Sequence, residues 1–165
     1  MTFTCGETRK FRLGINPADL TTAQAKGVRL IRSGRKMIPM FYKKARALQN
    51  EKFLDIALRP FRPKEPIRND GDTAVELRIV YYFPHPSGTP KWRRDQVTFM
   101  TQRPDADNLS KAVVDCMTKA GFWDDDSMVN FNFAKYRSPN PCIRVEIREW
   151  KQTRNKTEEQ LFSNS

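Results

Sequence analysis

Two aspartates separated by one residue, Asp105 and Asp107, stand immediately before the most regular helical pattern in this chain of 165 residues. In an extended segment their side chains project to the same side, because side chains alternate along such a segment. A pair of this kind can share a hard divalent cation, which takes oxygen ligands. Lys111 follows Asp107 by four residues and therefore lies one helical turn further along the same face. These residue types and spacings predict metal-dependent chemistry on an anionic group.

A second group of acids follows the same helix, in the sequence Trp123-Asp124-Asp125-Asp126-Ser127. An aspartate before a helix is most often an N-cap, and an acidic run after a glycine is most often a solvated loop. That simpler interpretation gives no reason for acids at both ends of one helix in a chain whose net charge is +11. A divalent cation would neutralise these acids and let a phosphate approach them.

The positive charge is concentrated in the first part of the chain. Residues 1–70 contain 16 Lys+Arg and 6 Asp+Glu, whereas residues 71–165 contain 14 and 13. Charge grouped in this way produces a directed electrostatic potential, which scattered charge does not. The expected partner is therefore a polyanion such as a nucleic acid.

The composition argues against several other function classes. The longest uncharged apolar stretch, residues 79–83, is far shorter than a membrane span, and the N-terminal residues lack the apolar core of a signal peptide. The three cysteines form no CxxC pair and indicate neither a disulfide framework nor a zinc ribbon. A GxGxxG motif and a Walker-type loop are both missing, which argues against a nucleotide cofactor. We expect a reducing, cytoplasmic compartment and no membrane partner.

The spacing of apolar residues predicts a single α+β domain with the element order β-β-α-β-β-α-β-β. Two helices are expected on one face of a mainly antiparallel or mixed sheet. The predicted strands are 28–32, 35–38, 75–83, 96–100, 129–133 and 143–147, and the predicted helices are 39–58 and 109–120. Residues 1–25 show little periodicity. The domain is expected to cover residues 1–150, and residues 151–165 to form a polar, flexible tail.

The two predicted helices differ in regularity. In the second, apolar residues recur with helical spacing from Leu109 to Ala120, and Gly121 marks the end. Cys116 falls within that stripe, so it is expected to be a core residue and not a nucleophile. The first helix is expected to begin at Pro39, because proline suits the first turn of a helix. Its apolar stripe is expected to comprise Phe41, Ala45, Leu48 and Ile56.

Two basic segments are candidates for contact with nucleic acid. Between Lys26 and Pro39, two short strands flank a Ser33-Gly34 turn, which predicts a basic hairpin. In the loop of residues 84–94, a tryptophan among three cations could stack on a base, although a packed tryptophan in a solvated loop explains the pattern equally well. The candidate DNA-binding residues are Lys26, Arg29, Arg32, Arg35, Lys36, Lys91, Trp92, Arg93, Arg94 and Arg103.

The two acidic groups together carry a family resemblance. The first run is Arg103-Pro104-Asp105-Ala106-Asp107-Asn108-Leu109-Ser110-Lys111, and after Asp115 it is followed by Gly121-Phe122-Trp123 and Asp125-Asp126-Ser127-Met128-Val129. These runs resemble the R-x-D-x-D-N-L-x-K and W-x-D-D-x-x-V signature of the RusA family of Holliday-junction resolvases, which are crossover junction endodeoxyribonucleases. The spacing of the signature is kept across 27 residues, and a looser likeness covers residues 12–150.

The resemblance implies an endodeoxyribonuclease that uses Mg²⁺, or Mn²⁺ in its place, and acts as a homodimer on four-way DNA junctions. It also implies that Asp105, Asp107 and Asp126 are the metal-binding carboxylates and that Lys111 is an essential lysine. Asp124 occupies a position where the family does not require an acid, and Asp125 matches the ligand position less well than Asp126. A bacterial or phage origin is implied as well.

The predicted helix separates the two acidic groups. About fourteen helical residues from Asn108 span roughly 20 Å, and six loop residues can cross that distance only when fully extended. Two arrangements are open: either the chain folds straight back along its own helix, or Asp126 completes the site of a second protomer. A two-fold dimer would also suit a junction, which has to be cut at two related positions.

Two other functions use similar residues. A polymerase-like palm, or nucleotidyl transferase, also places a D-x-D pair and a distant aspartate on an α+β sheet, but it needs a triphosphate-binding element that this sequence does not show. A non-catalytic protein that binds branched DNA could carry the acids merely as helix caps. Release of pyrophosphate from nucleotides would favour the first, and metal-independent binding without nicking would favour the second.

Overall fold

A computed structural model describes residues 2–20, 26–34, 36–43 and 45–153. The strands are β1 (Thr2–Leu13), β2 (Lys26–Ser33), β3 (Lys36–Lys43), β4 (Thr73–Phe83), β5 (Thr98–Phe99), β6 (Val129–Arg137) and β7 (Cys142–Thr153). The helices are α1 (Ala45–Leu58), α2 (Lys91–Arg94) and α3 (Ala106–Lys119), with single 3₁₀ turns at Pro17–Asp19, Arg59–Phe61 and Asp126–Met128.

Five of the strands form one mixed sheet in the order β1-β7-β4-β6-β5. All neighbours are antiparallel except β4 and β6, which are parallel. Strands β2 and β3 pair with each other in a separate two-stranded sheet, which confirms the predicted hairpin. The α+β class and the mixed sheet are therefore confirmed. Within the described residues, no helix has the length and apolar character to cross a membrane.

The central strand β4 explains how the sheet acquires two different faces. Val75, Leu77, Ile79 and Tyr81 alternate along it and are fully buried, because they lie on the face that the helices cover. That helix-covered face holds the core together with buried leucines of α1 and the inner stripe of α3. The opposite face of the sheet carries the intervening residues of β4 and is called the open face below.

Helix α3 matches its prediction closely. Leu109, Val113 and Met117 are fully buried and Cys116 is 5% exposed, so the predicted stripe faces the core and Cys116 is a core residue. The helix ends in a Schellman motif, in which the Phe122 N–H donates to the Met117 carbonyl at 3.1 Å. Gly121 adopts φ 77°, a left-handed conformation that glycine adopts without steric cost.

The predicted element order has no strand in residues 1–25 and was wrong there, because Thr2–Leu13 forms the edge strand β1. It pairs with β7, about 140 residues later, with an irregularity between Cys5 and Thr8. Backbone pairing with so distant a partner leaves little periodic signal in a mostly polar segment. At the other end, β7 continues through residues 151–153, past the predicted domain boundary. Residues 154–165 lie outside the described part of the chain.

The predicted start and apolar stripe of the first helix were also wrong. Pro39 lies in β3, where it pairs with Leu30, and α1 begins six residues later at Ala45. Because β3 pairs with β2 on both sides of Pro39, the strand continues beyond the proline. Leu48 and Ile56 are 46% and 59% exposed. The residues of α1 that reach the core are instead Leu54 and Leu58, because contact with the sheet and α3 sets the rotation of this weakly amphipathic helix.

The predicted strand at residues 96–100 is reduced to the two residues of β5, which pair with Tyr136 and Arg137 at the end of β6. The Met100 N–H also donates to the Lys135 carbonyl, and the remaining outer edge of β6, residues 129–134, has no strand beside it in the described chain. Phe131 and Phe133 are 40% and 44% exposed there. They lie on the helix-covered side, opposite Leu77 and Ile79 of β4, but at the rim of the sheet.

Candidate functional site

Asp105 is the N-cap of α3, yet its side chain does not perform the usual capping role. Its backbone is extended, with φ −69° and ψ 128°, and its carboxylate makes no capping hydrogen bond. Its carbonyl accepts a hydrogen bond from the Leu109 N–H at 3.3 Å. A cap explains the backbone of Asp105 but not the choice of an acid, because the carboxylate remains directed to solvent.

Asp107 lies in the first turn of α3 and Lys111 one turn later, and both are exposed. An acid near a helix N-terminus is stabilised by the partial positive charge of the unpaired N–H groups. In the described chain, Asp105, Asp107 and Lys111 all lack ion pairs within 4.0 Å and side-chain hydrogen bonds. The structure therefore brings these three predicted residues together at one end of α3, with their charged groups available to another partner.

Two residues of β6 fix the segment that leads into α3. The Lys135 Nζ donates to the carbonyls of Gln102 and Pro104, both at 2.9 Å. The Arg137 guanidinium donates to Oε1 of Gln102 at 3.0 Å. These contacts tie the end of β6 to the residue before Asp105, so Lys135 positions the candidate site. No sequence pattern predicts this role, because Lys135 occupies an ordinary alternating position in a strand.

The three acids at the other end of α3 differ in what they contact. The Asp124 carboxylate accepts a hydrogen bond from the Asn69 N–H at 3.1 Å. Asp125 caps the following 3₁₀ turn by accepting from the Ser127 N–H at 2.8 Å, and the hydrogen bonds from Ser127 lower the pKa of Asp125. Asp126 is exposed and has no comparable contact within the described residues. Two of these acids thus have local structural roles, and Asp126 is available for another.

Asp126 lies far from Asp105 and Asp107 within one chain. The fourteen residues of α3 measure about 20 Å along the helix axis. Strand β6 returns alongside α3, and its segment from Val129 to Lys135 also spans about 20 Å. Across the described residues, no group of three or more His, Cys, Asp or Glu side chains is close enough to hold a metal ion. Of the acids without a local structural contact in the described chain, one chain therefore supplies a pair at one end of α3 and only Asp126 at the other.

The basic hairpin is only partly described. Arg29, Arg32 and Lys36 are exposed on it, and the Arg32 Nε donates to the Gly34 carbonyl at 3.3 Å. The backbone of Lys26 belongs to β2, but its side chain is not described, and Arg35 lies outside the described residues. Apolar side chains of the hairpin are exposed too, as Leu30 and Met37 are 60% and 59% accessible.

The second basic segment forms the short helix α2, and Trp92 within it is 68% exposed. The alternative of a packed tryptophan is therefore wrong. The Arg94 guanidinium donates to the Ser87 and Thr89 carbonyls, so it holds the loop together. Arg93 faces a groove of about 300 Å³ that Phe99 also lines. Arg103, two residues before Asp105, is exposed.

Buried polar contacts hold α3 against its surroundings. The Tyr81 hydroxyl donates to Oγ of the fully buried Ser110 at 3.2 Å, and burial raises the pKa of Tyr81. At the far end of the helix, the Trp123 Nε1 donates to the Thr118 Oγ1 at 2.7 Å. The first contact fixes α3 on the sheet and thereby helps to fix the directions of Asp107 and Lys111, and the second holds the residues after the helix against its last turn.

The comparison with protein families identifies one match. Residues 22–148 fit the family model described as endodeoxyribonuclease RusA. The match covers well over half of the chain and includes both acidic groups and Lys111. A search of the curated proteins finds no match.

Proposed function

The chain belongs to the RusA endodeoxyribonuclease family, and from this membership we propose that it resolves four-way (Holliday) DNA junctions by paired, metal-dependent nicks. One observation carries the proposal: Asp105 and Asp107 stand exposed at the start of α3, and neither carboxylate has a hydrogen bond or ion pair within the described chain. Such acids in a chain of net charge +11 suit a metal ion that a phosphate then approaches.

The donor set at this end of α3 fits a hard divalent cation. Asp105 and Asp107 offer carboxylate oxygens, the ligands that Mg²⁺ and Mn²⁺ prefer. With Asp126 they would hold the ion, which when bound would activate a water and polarise the phosphate. The Lys111 ammonium, one turn from Asp107, would neutralise charge that develops on the phosphate oxygens. Backbone N–H groups at the start of α3 would attract the same phosphate.

The site is completed, in this proposal, by a second copy of the chain. The outer edge of β6 could pair with β6 of a partner about a two-fold axis at Asn132. The Val129 end of one strand would then meet the Lys135 end of the other, and the partner subunit's Asp126 would approach Asp105. The pairing would also cover Phe131 and Phe133, which are partly exposed in the single chain. Strand β5 leaves this arrangement room as far as residue 134, because it pairs only with Tyr136 and Arg137, and the Met100 N–H that follows it donates to the Lys135 carbonyl.

A two-fold dimer would match the substrate in symmetry and in charge. A junction has to be cut at two related positions, and two shared sites would provide one nick each. The exposed cations of the hairpin and of α2, together with Arg103, would hold the junction arms through their phosphates. We further propose that the protein acts on DNA in the cytoplasm of a bacterium, encoded by the cell or by a phage.

The test is incubation of the protein with a synthetic mobile four-way junction, with and without Mg²⁺. We expect symmetrical nicks that require the metal. Asp107→Asn should abolish cleavage while the junction is still bound, because the substitution removes a ligand charge and leaves the basic surfaces unchanged. Asp19→Asn, which neutralises an exposed acid in the 3₁₀ turn Pro17–Asp19, serves as the matched control and should cleave normally.

The outcomes separate the proposal from its competitors. Undiminished nicking by pure Asp107→Asn protein would contradict the assignment of the site. Junction binding without any nicking in Mg²⁺ or Mn²⁺ would contradict the proposed activity and support a non-catalytic role in DNA binding.

A further inference from the structure

The open face of the five-stranded sheet carries more positive than negative charge. Its charged residues are Lys10, Arg12, Arg78, Arg144 and Arg148 against Glu76 and Glu146. One part of this face is internally neutralised. Glu146 pairs with Lys10 at 3.3 Å and with Arg148 at 2.7 Å, and Glu76 approaches Arg148 at 3.7 Å.

The other part of the open face carries three arginines, although Glu146 lies opposite Arg78 in the register of β4 and β7 and lines the same groove. In the described chain, no carboxylate lies within 4.0 Å of the Arg12, Arg78 or Arg144 guanidinium. Arg12 and Arg144 are moreover direct cross-strand partners in the register of β1 and β7. Like charges placed directly opposite each other destabilise a sheet. Their juxtaposition on a groove of about 580 Å³, which Arg78 also lines, therefore points to an anionic partner.

A row of aromatic rings continues from these arginines to the edge of the sheet. The Arg144 guanidinium lies 5.0 Å from the centroid of the Tyr82 ring. Tyr82 lies 5.7 Å from Tyr136, and Tyr136 lies 5.3 Å from Phe99, between ring centroids. With Arg12, this row takes one residue from each of the five strands and crosses about 19 Å of sheet at the usual strand spacing.

Phe99 ends the row and is 81% exposed. One side of its ring contacts Tyr136, and the remainder of the ring faces solvent. It also lines the groove that Arg93 faces, so the cationic surface continues beyond it. In sequence, Phe99 precedes Asp105 by six residues, and the segment between them leads from the sheet edge to the start of α3.

We propose that the open face binds an unpaired DNA strand, with phosphates on Arg12, Arg78 and Arg144 and a base stacked on Phe99. Cations that track a backbone, next to an exposed ring, are the two elements of sequence-tolerant single-strand binding. A paired arm would satisfy the arginines but would leave the phenyl ring without a base to stack on. The proposal deepens the junction-cleaving function and rests on it only for the identity of the polyanion as DNA.

The test is binding of a fluorescent oligothymidylate to the full chain in EDTA, measured by anisotropy at several salt concentrations. Phe99→Ala should weaken binding by about tenfold, from loss of one base–aromatic stack. The triple variant Arg12→Gln, Arg78→Gln, Arg144→Gln should reduce the slope of log affinity against log salt by about 2, since each phosphate contact contributes roughly 0.7 for a single strand. Glu146→Gln should act in the opposite direction and tighten binding.

The matched control removes three exposed cations elsewhere, by the triple variant Lys52→Gln, Arg59→Gln, Lys64→Gln. It should retain most of the affinity and a slope close to that of the unsubstituted protein. An equal loss in both triple variants, or unchanged affinity in Phe99→Ala, would overturn the proposal. The proposal would also be overturned if Phe99→Ala weakened binding to duplex and to single-stranded DNA equally. Stacking of an unpaired base on Phe99 should affect the affinity for the single strand alone.

The same proteins separate this proposal from the function it deepens. Because binding is measured without metal, a chain that fails to nick junctions can still show the predicted loss in Phe99→Ala. Conversely, normal junction cleavage together with unaltered oligothymidylate binding in Phe99→Ala would leave the nuclease function intact and remove the open face as a binding surface.

Discussion

Asp107 lies in the first turn of α3 and Asp126 follows the other end of this helix, which measures about 20 Å along its axis. The chain does fold back along its own helix, which is the first of the two arrangements that the sequence left open. It does so as strand β6, however, which begins only after Asp126. Asp126 is thus left at the far end, and the proposed metal site requires a second copy of the chain that brings the partner subunit's Asp126 to the start of α3.

The outer edge of β6 should be required for that second copy. The double variant Phe131→Glu, Phe133→Glu places four charges at a paired edge and should convert a dimer into a monomer by burying unpaired carboxylates. Sedimentation velocity gives the mass, and junction cleavage should be lost with the dimer. Phe53→Glu, at a similarly exposed apolar residue of α1, should leave both unchanged. If the double variant still forms a dimer that cleaves junctions, the outer edge of β6 is not the dimer interface.

Lys135 should act as a positioning residue. Lys135→Met removes the hydrogen bonds to the Gln102 and Pro104 carbonyls and frees the segment before Asp105. Displacement by an ångström costs about 100-fold in catalysis, so kcat should fall while junction affinity changes little. Lys135→Arg, which keeps a donor, should recover part of kcat. A loss of affinity with unchanged kcat would instead indicate direct contact with DNA.

Tyr81 should contribute to stability through Ser110. Tyr81→Phe leaves the fully buried Ser110 hydroxyl without its partner, and such a loss costs about 1–3 kcal/mol. Urea denaturation followed by circular dichroism measures the free energy of unfolding. The double variant Tyr81→Phe, Ser110→Ala should recover part of the loss, because it leaves no unpaired hydroxyl. If the single variant unfolds at the same urea concentration as the unsubstituted protein, the Tyr81–Ser110 hydrogen bond makes no net contribution to the free energy of unfolding.

The parts of the fold that were predictable carry strong periodic signals. Helix α3 and strand β4 each bury one complete face, so their apolar residues recur with the period of the element. Strand β1 was missed because backbone pairing with β7 holds a polar segment that has little apolar pattern. The start of α1 was misplaced because pairing in the hairpin overrides the preference of Pro39 for a helical first turn.

The candidate site was predictable in residue type but not in arrangement. Asp105, Asp107 and Lys111 are close in sequence, so helical geometry alone places them together. The role of Lys135 depends on contacts across about 30 residues, which spacing does not reveal. The hydrogen bonds of Asp124 and Asp125, which distinguish them from Asp126, likewise cannot be predicted from the sequence.

The shared site is tested most directly by heterodimers in which each subunit carries a defined substitution. In a dimer of Asp107→Asn with Asp126→Asn, a shared arrangement leaves one site intact and one carrying both substitutions. Such a dimer should nick one strand of a labelled four-way junction, although each variant alone is inactive. A site within one chain would leave both sites damaged, and the heterodimer would be inactive.

The reciprocal heterodimer makes the result decisive. Unsubstituted protein paired with a subunit carrying both Asp107→Asn and Asp126→Asn should be inactive if the sites are shared, since each site then lacks one aspartate. Nicking by this dimer, together with none by the dimer of single variants, would show that each site lies within one chain and would contradict the shared site. The predicted result is nicking by the dimer of single variants and none by its reciprocal.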